Sequence, residues 1–273
     1  MEIFNRMKNR NYSQCCLFLW LIMGVSTISF AGIMAETTRL IFPEGATERS
    51  LMLANTNNYP VLVQTWIDNG DVNNTPEKTS APFIVLPTVF KMGASEVKGI
   101  RIVFKNQPLP KDRESVFWLN LYEIPPTNNK ASATDEAKLL VAMNTQMKIF
   151  YRPKNLTQKI NTLQDNLQFT LMKDKDRLVL TCHNPTPYYA SFSSLKLLSA
   201  GKVYKPDTKL DMMVSPFSTD QFVFSANDMP KGRTIDLEFM LITDTGLSQK
   251  GEKNPSSQAS NLQACSHALN CAG

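Results

Sequence analysis

Short segments of alternating or β-branched apolar residues recur along the chain from about residue 37 onward. Proline, glycine, asparagine and aspartate separate them, as in Pro43-Glu44-Gly45 and Asn69-Gly70. Strands at this spacing are typical of a sandwich or barrel rather than of βαβ units. The first predicted strands are 38–42, 49–54, 61–68, 83–86, 97–104, 116–122 and 139–151. Seven strands within about a hundred residues predict an all-β, immunoglobulin-like sandwich.

A second β domain is predicted after Pro153. Proline cannot donate to a strand ladder and restricts the preceding residue to extended geometry, so it ends the long strand. A polar stretch follows, and further strands are predicted at 167–172, 177–182, 188–198, 222–224 and 235–243. We therefore expect domains at 36–153 and 154–250. The tail, 251–273, is rich in polar residues and is predicted to be irregular.

The N-terminus has the order of a secretory signal. Basic residues at positions 6, 8 and 10 precede an apolar run from Cys15 to Phe30, and small residues follow between Ala31 and Ala35. The run is shorter than the ~20 residues that span a bilayer, and serine and threonine dilute it. This favours a cleaved signal over a membrane anchor. We expect a signal at residues 1–35, with cleavage after Ala35.

Composition narrows the function classes. The 273 residues carry a formal charge of +5, and no basic run interleaves with aromatics as a nucleic-acid groove requires. The two histidines have no zinc-ligand spacing, so neither a metal nor another cofactor is expected. No Ser/His/Asp set for nucleophilic catalysis appears either, since His183 and His267 both lie outside the predicted strands of the first domain. The sequence therefore predicts neither an enzyme nor a small-molecule substrate.

The cysteines divide into three groups. Cys15 and Cys16 belong to the predicted signal. In an oxidising compartment, Cys265 and Cys271 are candidates for a disulfide that closes a small loop. Cys182 lies in an apolar run without an obvious partner, which indicates a buried, inert thiol.

The predicted strand 139–151 is unusually long, since typical strands have about five or six residues. Its first half is apolar on both faces. A central strand covered on both faces has this pattern. An edge strand with this pattern would aggregate unless another strand paired with it. The residues by themselves support both interpretations equally.

Arg39 and Lys148 are basic residues inside otherwise apolar strands. The ordinary interpretation is that each charged head reaches solvent while its stem packs against the strand. The alternative is that both converge on one anion, because an arginine fork and a lysine ammonium together suit a carboxylate.

Several segments together resemble the PapD-like periplasmic pilus chaperones, in a match that runs from about residue 37 to 247. The segments are Thr38-Arg39-Leu40-Ile41-Phe42-Pro43, Asn58-Tyr59-Pro60-Val61-Leu62-Val63-Gln64-Thr65-Trp66, Phe117-Trp118-Leu119-Asn120 leading to Ile124-Pro125-Pro126, Lys148-Ile149-Phe150-Tyr151-Arg152-Pro153 and Asn184-Pro185-Thr186-Pro187-Tyr188-Tyr189. The resemblance implies two immunoglobulin-like domains in a boomerang arrangement. It also implies a periplasmic protein that binds pilus subunits and delivers them to an outer-membrane usher.

The resemblance also implies site residues. Arg39 and Lys148 would bind the terminal carboxylate of a subunit. Three alternating residues of the long strand would complete the subunit's sandwich: Leu139, Val141 and Met143. A regular pleat places these three on the face opposite Lys148, so a bulge, twist or bend is expected between them.

A buried ionic cluster between the domains is implied as well, formed by Glu114, Arg152 and Asp244. Its expected role is to fix the angle between the domains. The competing hypothesis is a secreted β-sandwich adhesin or other binding module. Such a protein would bind its ligand on loops and would not need Arg39 and Lys148 together.

Overall fold

The computed structural model describes residues 32–71, 74–126, 142–174, 177–207, 209, 211–225 and 235–257. In these residues β-strands form four sheets, two in each half of the chain. The expected all-β fold with two domains is confirmed. No helix in the described part of the chain is long and apolar enough to cross a membrane.

The first domain consists of two facing sheets. One has the strand order β1-β3-β7-β5, and the other has the order β2-β9-β8-β4-β6. The strands are β1 (Ile33–Ala35), β2 (Arg39–Pro43), β3 (Glu48–Asn55), β4 (Val61–Asp68), β5 (Phe83–Leu86), β6 (Val89–Met92), β7 (Val97–Phe104), β8 (Ser115–Ile124) and β9 (Met143–Arg152).

The second domain repeats this two-sheet plan, with orders β15-β11-β10-β18 and β13-β12-β16-β17, and β14 also pairs with β12. The strands are β10 (Gln168–Asp174), β11 (Arg177–Asn184), β12 (Ala190–Ser199), β13 (Lys202–Tyr204), β14 (Met213–Val214), β15 (Ser218–Ser225), β16 (Asp236–Ile242), β17 (Ser248–Lys253) and β18 (Ser256–Ser257). The short helix α1 (Leu163–Asn166) lies between the domains in sequence, after a 3-10 turn at Ile160–Thr162.

Each domain has its own core, built from the period-two pattern of its strands. In β4, for example, every second residue from position 61 to 67 is buried (Val61, Val63, Thr65 and Ile67), and the three residues between them are more exposed. Phenylalanines fill the second core, where the ring centroids of Phe169 and Phe239 lie 5.2 Å apart. Two separate cores explain why the alternating pattern predicted two domains.

Three strands, β1, β17 and β18, lie wholly or partly outside the expected domain boundaries. Strand β1 precedes the expected first residue of the first domain, Glu36, yet it pairs with β3 and buries Ile33 in the core. The start expected at residue 36 is therefore corrected to include β1. The cleavage after Ala35 stays a prediction, and this arrangement argues against it.

The second domain also extends past the expected boundary at 250. Strand β17 pairs with β16, with Gly251 opposite Phe239. Its polar sequence misled the prediction because β17 is the last strand of its sheet among the described residues and has few buried positions. The candidate pair Cys265 and Cys271, like the rest of the tail after residue 257, lies outside the described residues.

Candidate functional site

Strands β2 and β9 place the two predicted anchor residues side by side. The strands are parallel, and Arg39 is aligned with Lys148. Phe150 follows Lys148 by two residues, so it lies on the same face of the sheet. The Arg39 guanidinium lies over the Phe150 ring, 5.3 Å from its centroid. Parallel pairing thus brings together two cations that are more than a hundred residues apart in sequence.

The side chain of Arg39 points toward the second domain. Its Nη1 donates to the carbonyl oxygen of Ile242 at 3.1 Å, and the residue is only 8% exposed. Its Nε has no hydrogen-bond partner among the described atoms. Burial lowers the pKa of Arg39, while the carboxylates of Asp244 and Glu114 act in the opposite direction. Arginine's ordinary pKa is so high that the side chain remains cationic, and one buried N–H is still available to an acceptor.

Lys148 contacts a carboxylate that the sequence did not identify. Its Nζ lies 2.7 Å from Oδ1 of Asp211, in the segment that leads into β14 of the second domain. The Lys148 side chain is partly buried. The two cations are thus neighbours along the strands, but each one contacts a different group of the second domain. Their convergence on a single anion stays a prediction.

The three residues of the predicted ionic cluster are in contact. Arg152 donates through Nε to Glu114 Oε1 at 2.7 Å, and through Nη1 and Nη2 to the two oxygens of Asp244 at 2.6 and 2.7 Å. The backbone N–H of Tyr189 donates to the other Glu114 oxygen at 2.9 Å. Residues from both domains therefore meet in one hydrogen-bonded ionic group.

Burial and charge act against each other in this group. Burial acts to lower the pKa of Arg152, but hydrogen bonds to Asp244 and the charge of Glu114 outweigh it and raise that pKa. Burial raises the pKa of Glu114, against the opposing effect of Arg152. Because Glu114 is almost completely buried, its charge depends on Arg152 for compensation.

The first half of β9 has one open side. Strand β8 pairs with β9 from Met143 to Tyr151, but β2 pairs only from Lys148 onward. In the described residues no strand lies against the other side of 143–147. We call this segment the open edge of β9. Met143 is 46% exposed there, whereas Leu139 and Val141 lie outside the described residues.

The described part of β9 is a regular strand. Its register with β8 runs without a shift from Glu123–Met143 to Ser115–Tyr151. Met143 and Lys148 are therefore on opposite faces, and of the three expected irregularities (bulge, twist or bend) a bulge does not lie between them. If Met143 and Lys148 contact the same subunit, twist or bending of the strand must bring both side chains to it.

A polar network beneath the open edge was missed by sequence reasoning. Asn144 and Gln146 of β9 donate to Asn120 Oδ1 at 3.1 and 2.8 Å, and Asn120 donates to Asp68 Oδ2 at 2.7 Å. Asn120 and Asp68 are both about 1% exposed. The signal for this network was a polar residue within each of two apolar strands. The network fastens the open edge to β8 and β4.

Comparison with known proteins supports the assignment that the sequence suggested. A family model described as the pili and flagellar-assembly chaperone, PapD N-terminal domain, matches residues 32–157. The model for the C-terminal domain of the pili assembly chaperone PapD matches residues 162–253. Together these two models span both sandwiches.

Individual relatives agree with the family models. The probable fimbrial chaperone YadV of Escherichia coli K12 is 35% identical over 226 residues, which cover 82% of this chain and 90% of that protein. HifB of Haemophilus influenzae is 35% identical over 81% of this chain and 87% of its own length.

Solved structures give the same result. The crystal structure of YadV matches with a TM-score of 0.67 at 33% identity, over 82% of this chain and 99% of that one. The SafB chaperone, solved in complex with the SafA pilin of Salmonella enterica, matches with a TM-score of 0.64 at 27% identity, over 84% and 98%. The resemblance to PapD-like proteins is thereby confirmed, and the chain belongs to the PapD family of pilus-assembly chaperones.

Proposed function

We propose that this protein binds pilus subunits in the periplasm by adding its β9 strand to them, and that it delivers them to an outer-membrane usher. The observation that carries the proposal is the open edge of β9, which continues directly into the residue pair Arg39 and Lys148. A strand edge and a paired cation site thus lie along one line. A subunit with an incomplete β-sandwich could pair with the strand edge, and its terminal carboxylate could bind the two cations.

Strand addition supplies the first part of the binding energy. An extended segment that joins an exposed sheet edge gains main-chain hydrogen bonds and side-chain pockets, and chaperone–pilin complementation is a known case. Met143 would insert its side chain into the subunit, together with Leu139 and Val141. Each such side chain contributes about 1.5–3 kcal/mol when fully buried, before the cost of ordering the segment is subtracted.

A carboxylate anchor would set the register. Main-chain pairing by itself tolerates slippage by two residues, whereas an ion pair at a fixed position does not. Arg39 has a buried Nε–H without a partner among the described atoms, and Lys148 carries an ammonium beside it. We propose that the terminal carboxylate of the subunit binds here. The SafA–SafB complex supports a pilin as the partner, because SafB shares the fold of this chain.

Location and mechanism complete the proposal. The N-terminus has a basic segment, an apolar run and small residues in the order of a secretory signal, which supports export. A chaperone of pilus subunits must meet those subunits in the periplasm. Binding and release require no bond to be made or broken. We therefore propose an assembly function without a catalytic step.

A co-expression experiment tests the proposal. The chain is expressed in the periplasm of Escherichia coli together with a pilin encoded beside its gene, and subunits that co-purify are quantified. We expect capture by the wild type, and a large loss for Lys148→Ala, Arg39→Ala and Met143→Glu. Arg101→Ala is the matched control, because Arg101 forms an exposed ion pair with Glu48 in the sheet that does not contain β9.

Thermal unfolding of each variant separates lost binding from lost folding, which matters most for the buried Arg39. Two results would contradict the proposal. One is a folded wild type that captures no subunit. The other is normal capture by Lys148→Ala and Met143→Glu together.

A further inference from the structure

Strand β1 occupies a position that the mature protein needs. Ile33 is 4% exposed and belongs to the core of the first domain. Residues Ile33 to Ala35 pair antiparallel with Leu53 to Asn55 of β3, so β1 adds a strand to that sheet. A cut after Ala35 would remove this strand and expose the core beneath it.

The residue before β1, Gly32, occupies a position that only glycine fits well. Gly32 has φ +89, a conformation that favours glycine, and a Cβ at this position would lie 2.6 Å from Glu123 Oε2. Its carbonyl oxygen accepts hydrogen bonds from the backbone N–H and the hydroxyl of Thr56 at 3.0 and 2.6 Å. Gly32 is thus fixed against the carboxylate of Glu123.

Glu123 is a buried carboxylate with no side-chain cation beside it in the described part of the chain. It is 6% exposed and accepts from Ile33 N–H at 3.0 Å and from Asn57 Nδ2 at 2.7 Å. No side-chain cation of the described residues lies within ion-pair distance of it. Buried charges are normally paired with an opposite charge. The two neutral donors to Glu123 compensate only part of the hydration that its carboxylate loses on burial.

We propose that the leader is removed after Ala31, so that the mature chain begins at Gly32 and its new ammonium pairs with Glu123. Ser29 and Ala31 supply the small residues that a signal peptidase requires at alternate positions. Water hydrolyses the Ala31–Gly32 bond, leaving a carboxylate on Ala31 and an ammonium on Gly32. Since N and Cβ share the same Cα, this ammonium lies within about 5 Å of the carboxylate.

Intact mass and N-terminal sequencing of the chain purified from the periplasm test the cleavage site. We expect the sequence Gly-Ile-Met-Ala. A chain that begins at Glu36 would overturn the proposal.

An NMR titration of the α-amino group tests the ion pair. We expect its pKa to lie above the ordinary range of about 7.7–8.0 in the wild type, and to fall back toward it in Glu123→Gln. Glu48→Gln, a change of the same charge at an exposed site, is expected to leave this pKa unchanged. Equal values in the wild type and Glu123→Gln would overturn the pairing.

A second, independent observation concerns Asp211, whose carboxylate contacts Lys148 at 2.7 Å. The next residue, Met212, accepts a hydrogen bond from Phe192 N–H through its carbonyl at 2.7 Å, and β14 then pairs with β12. Asp211 is thus presented by the framework of the second domain. Its carboxylate has the same chemistry as the terminal carboxylate of a polypeptide.

From this contact we infer that Asp211 occupies the anchor in the subunit-free protein, and that a subunit's terminal carboxylate must compete with it. The inference rests on the proposed function. Two carboxylates on one ammonium repel each other, so the arriving group weakens the contact between Lys148 and Asp211. Asp211 would also keep weaker anions away from Lys148 before a subunit arrives.

The test compares peptides that copy the last strand of the captured subunit, with a free or an amidated C-terminus. We expect Asp211→Asn to bind the free-acid peptide about two- to fivefold more tightly than the wild type does, which is the range for a partly exposed ion pair. Its affinity for the amidated peptide should equal that of the wild type. Asp220→Asn removes the same charge from a pair with Lys209 in the same domain, and should have no effect.

The outcomes separate the inference from the proposed function. If Lys148→Ala weakens binding of the free acid but Asp211→Asn does not strengthen it, only the competition is wrong. If Lys148→Ala also binds the free acid like the wild type, the carboxylate anchor itself is wrong, and the inference falls with it.

Discussion

Arg152 and Asp244 form a two-armed ion pair between the domains, with N–O distances of 2.6 and 2.7 Å. Arg152 is the last residue of β9, and Asp244 follows β16 of the second domain. The planar guanidinium fork accepts only one orientation of the carboxylate. The strand that we propose to contact subunits is therefore tied directly to the second domain at its end.

Arg152→Ala is expected to destabilise the protein by about 3–5 kcal/mol, because Glu114 would remain buried without compensation. Urea unfolding measures this change in the free energy of unfolding. The exposed Arg101, which is paired with Glu48, is the control, and Arg101→Ala should cost at most about 1 kcal/mol. Similar losses for both variants would contradict this account of the cluster.

Asn120→Ala is expected to destabilise the open edge of β9. The substitution leaves Asp68 without the amide donor at 2.7 Å and frees Asn144 and Gln146 from their acceptor. Loss of buried hydrogen bonds of this kind costs about 1–3 kcal/mol. Hydrogen exchange should accelerate in residues 143–147. Asn144→Ala, which removes only the exposed donor, should have a smaller effect, and unchanged exchange in Asn120→Ala would refute the role of the network.

Cys182 is expected to be chemically inert in the folded protein. Burial raises the pKa of its thiol to about 12, with a smaller contribution from Asp220. Little thiolate is present at pH 8, so iodoacetamide should modify Cys182 in urea but not in buffer, as peptide mass mapping would detect. Rapid modification of the native protein would count against the buried position.

The same shift has a consequence for alkaline stability. The folded pKa lies above the unfolded value of 9.0, so the stabilising contribution is complete below about pH 9 and is lost as the pH rises toward about 12. The unfolding free energy should decline over this window by a smaller amount in Cys182→Ala than in the wild type. A decline of equal size would mean that the thiol does not contribute.

Glu238 is expected to stay ionised in acid. Hydrogen bonds from Lys250 and then Lys196 lower its pKa to about 2. The stabilising contribution is therefore fully present above the ordinary value of 4.5, and it is lost progressively as the pH falls from there through about 2. A carbon NMR titration measures this pKa directly. Lys250→Ala should raise it, and an unchanged midpoint would show that the contact is not formed in solution.

The sequence predicted the strands best where burial alternates. Val61, Val63 and Ile67 face one core, and their spacing marked β4 without any tertiary information. Strands at the two ends of the described chain were harder to predict from the sequence. Strand β17 is polar, and it contributes mainly Gly251 to its contact with Phe239. Strand β1 was missed because its short apolar sequence also fits the end of a secretory signal.

The sequence by itself determined the all-β class, the two domains and the family, because alternating burial and the segments around Arg39 and Lys148 are local patterns. It also named the members of the Glu114, Arg152 and Asp244 cluster through the family resemblance. Only the tertiary structure decided that Lys148 meets Asp211, that Asn120 fastens β9, and that one side of residues 143–147 is open. These relationships join residues that are distant in sequence, so the packing of the sheets and of the two domains determines them rather than any local pattern.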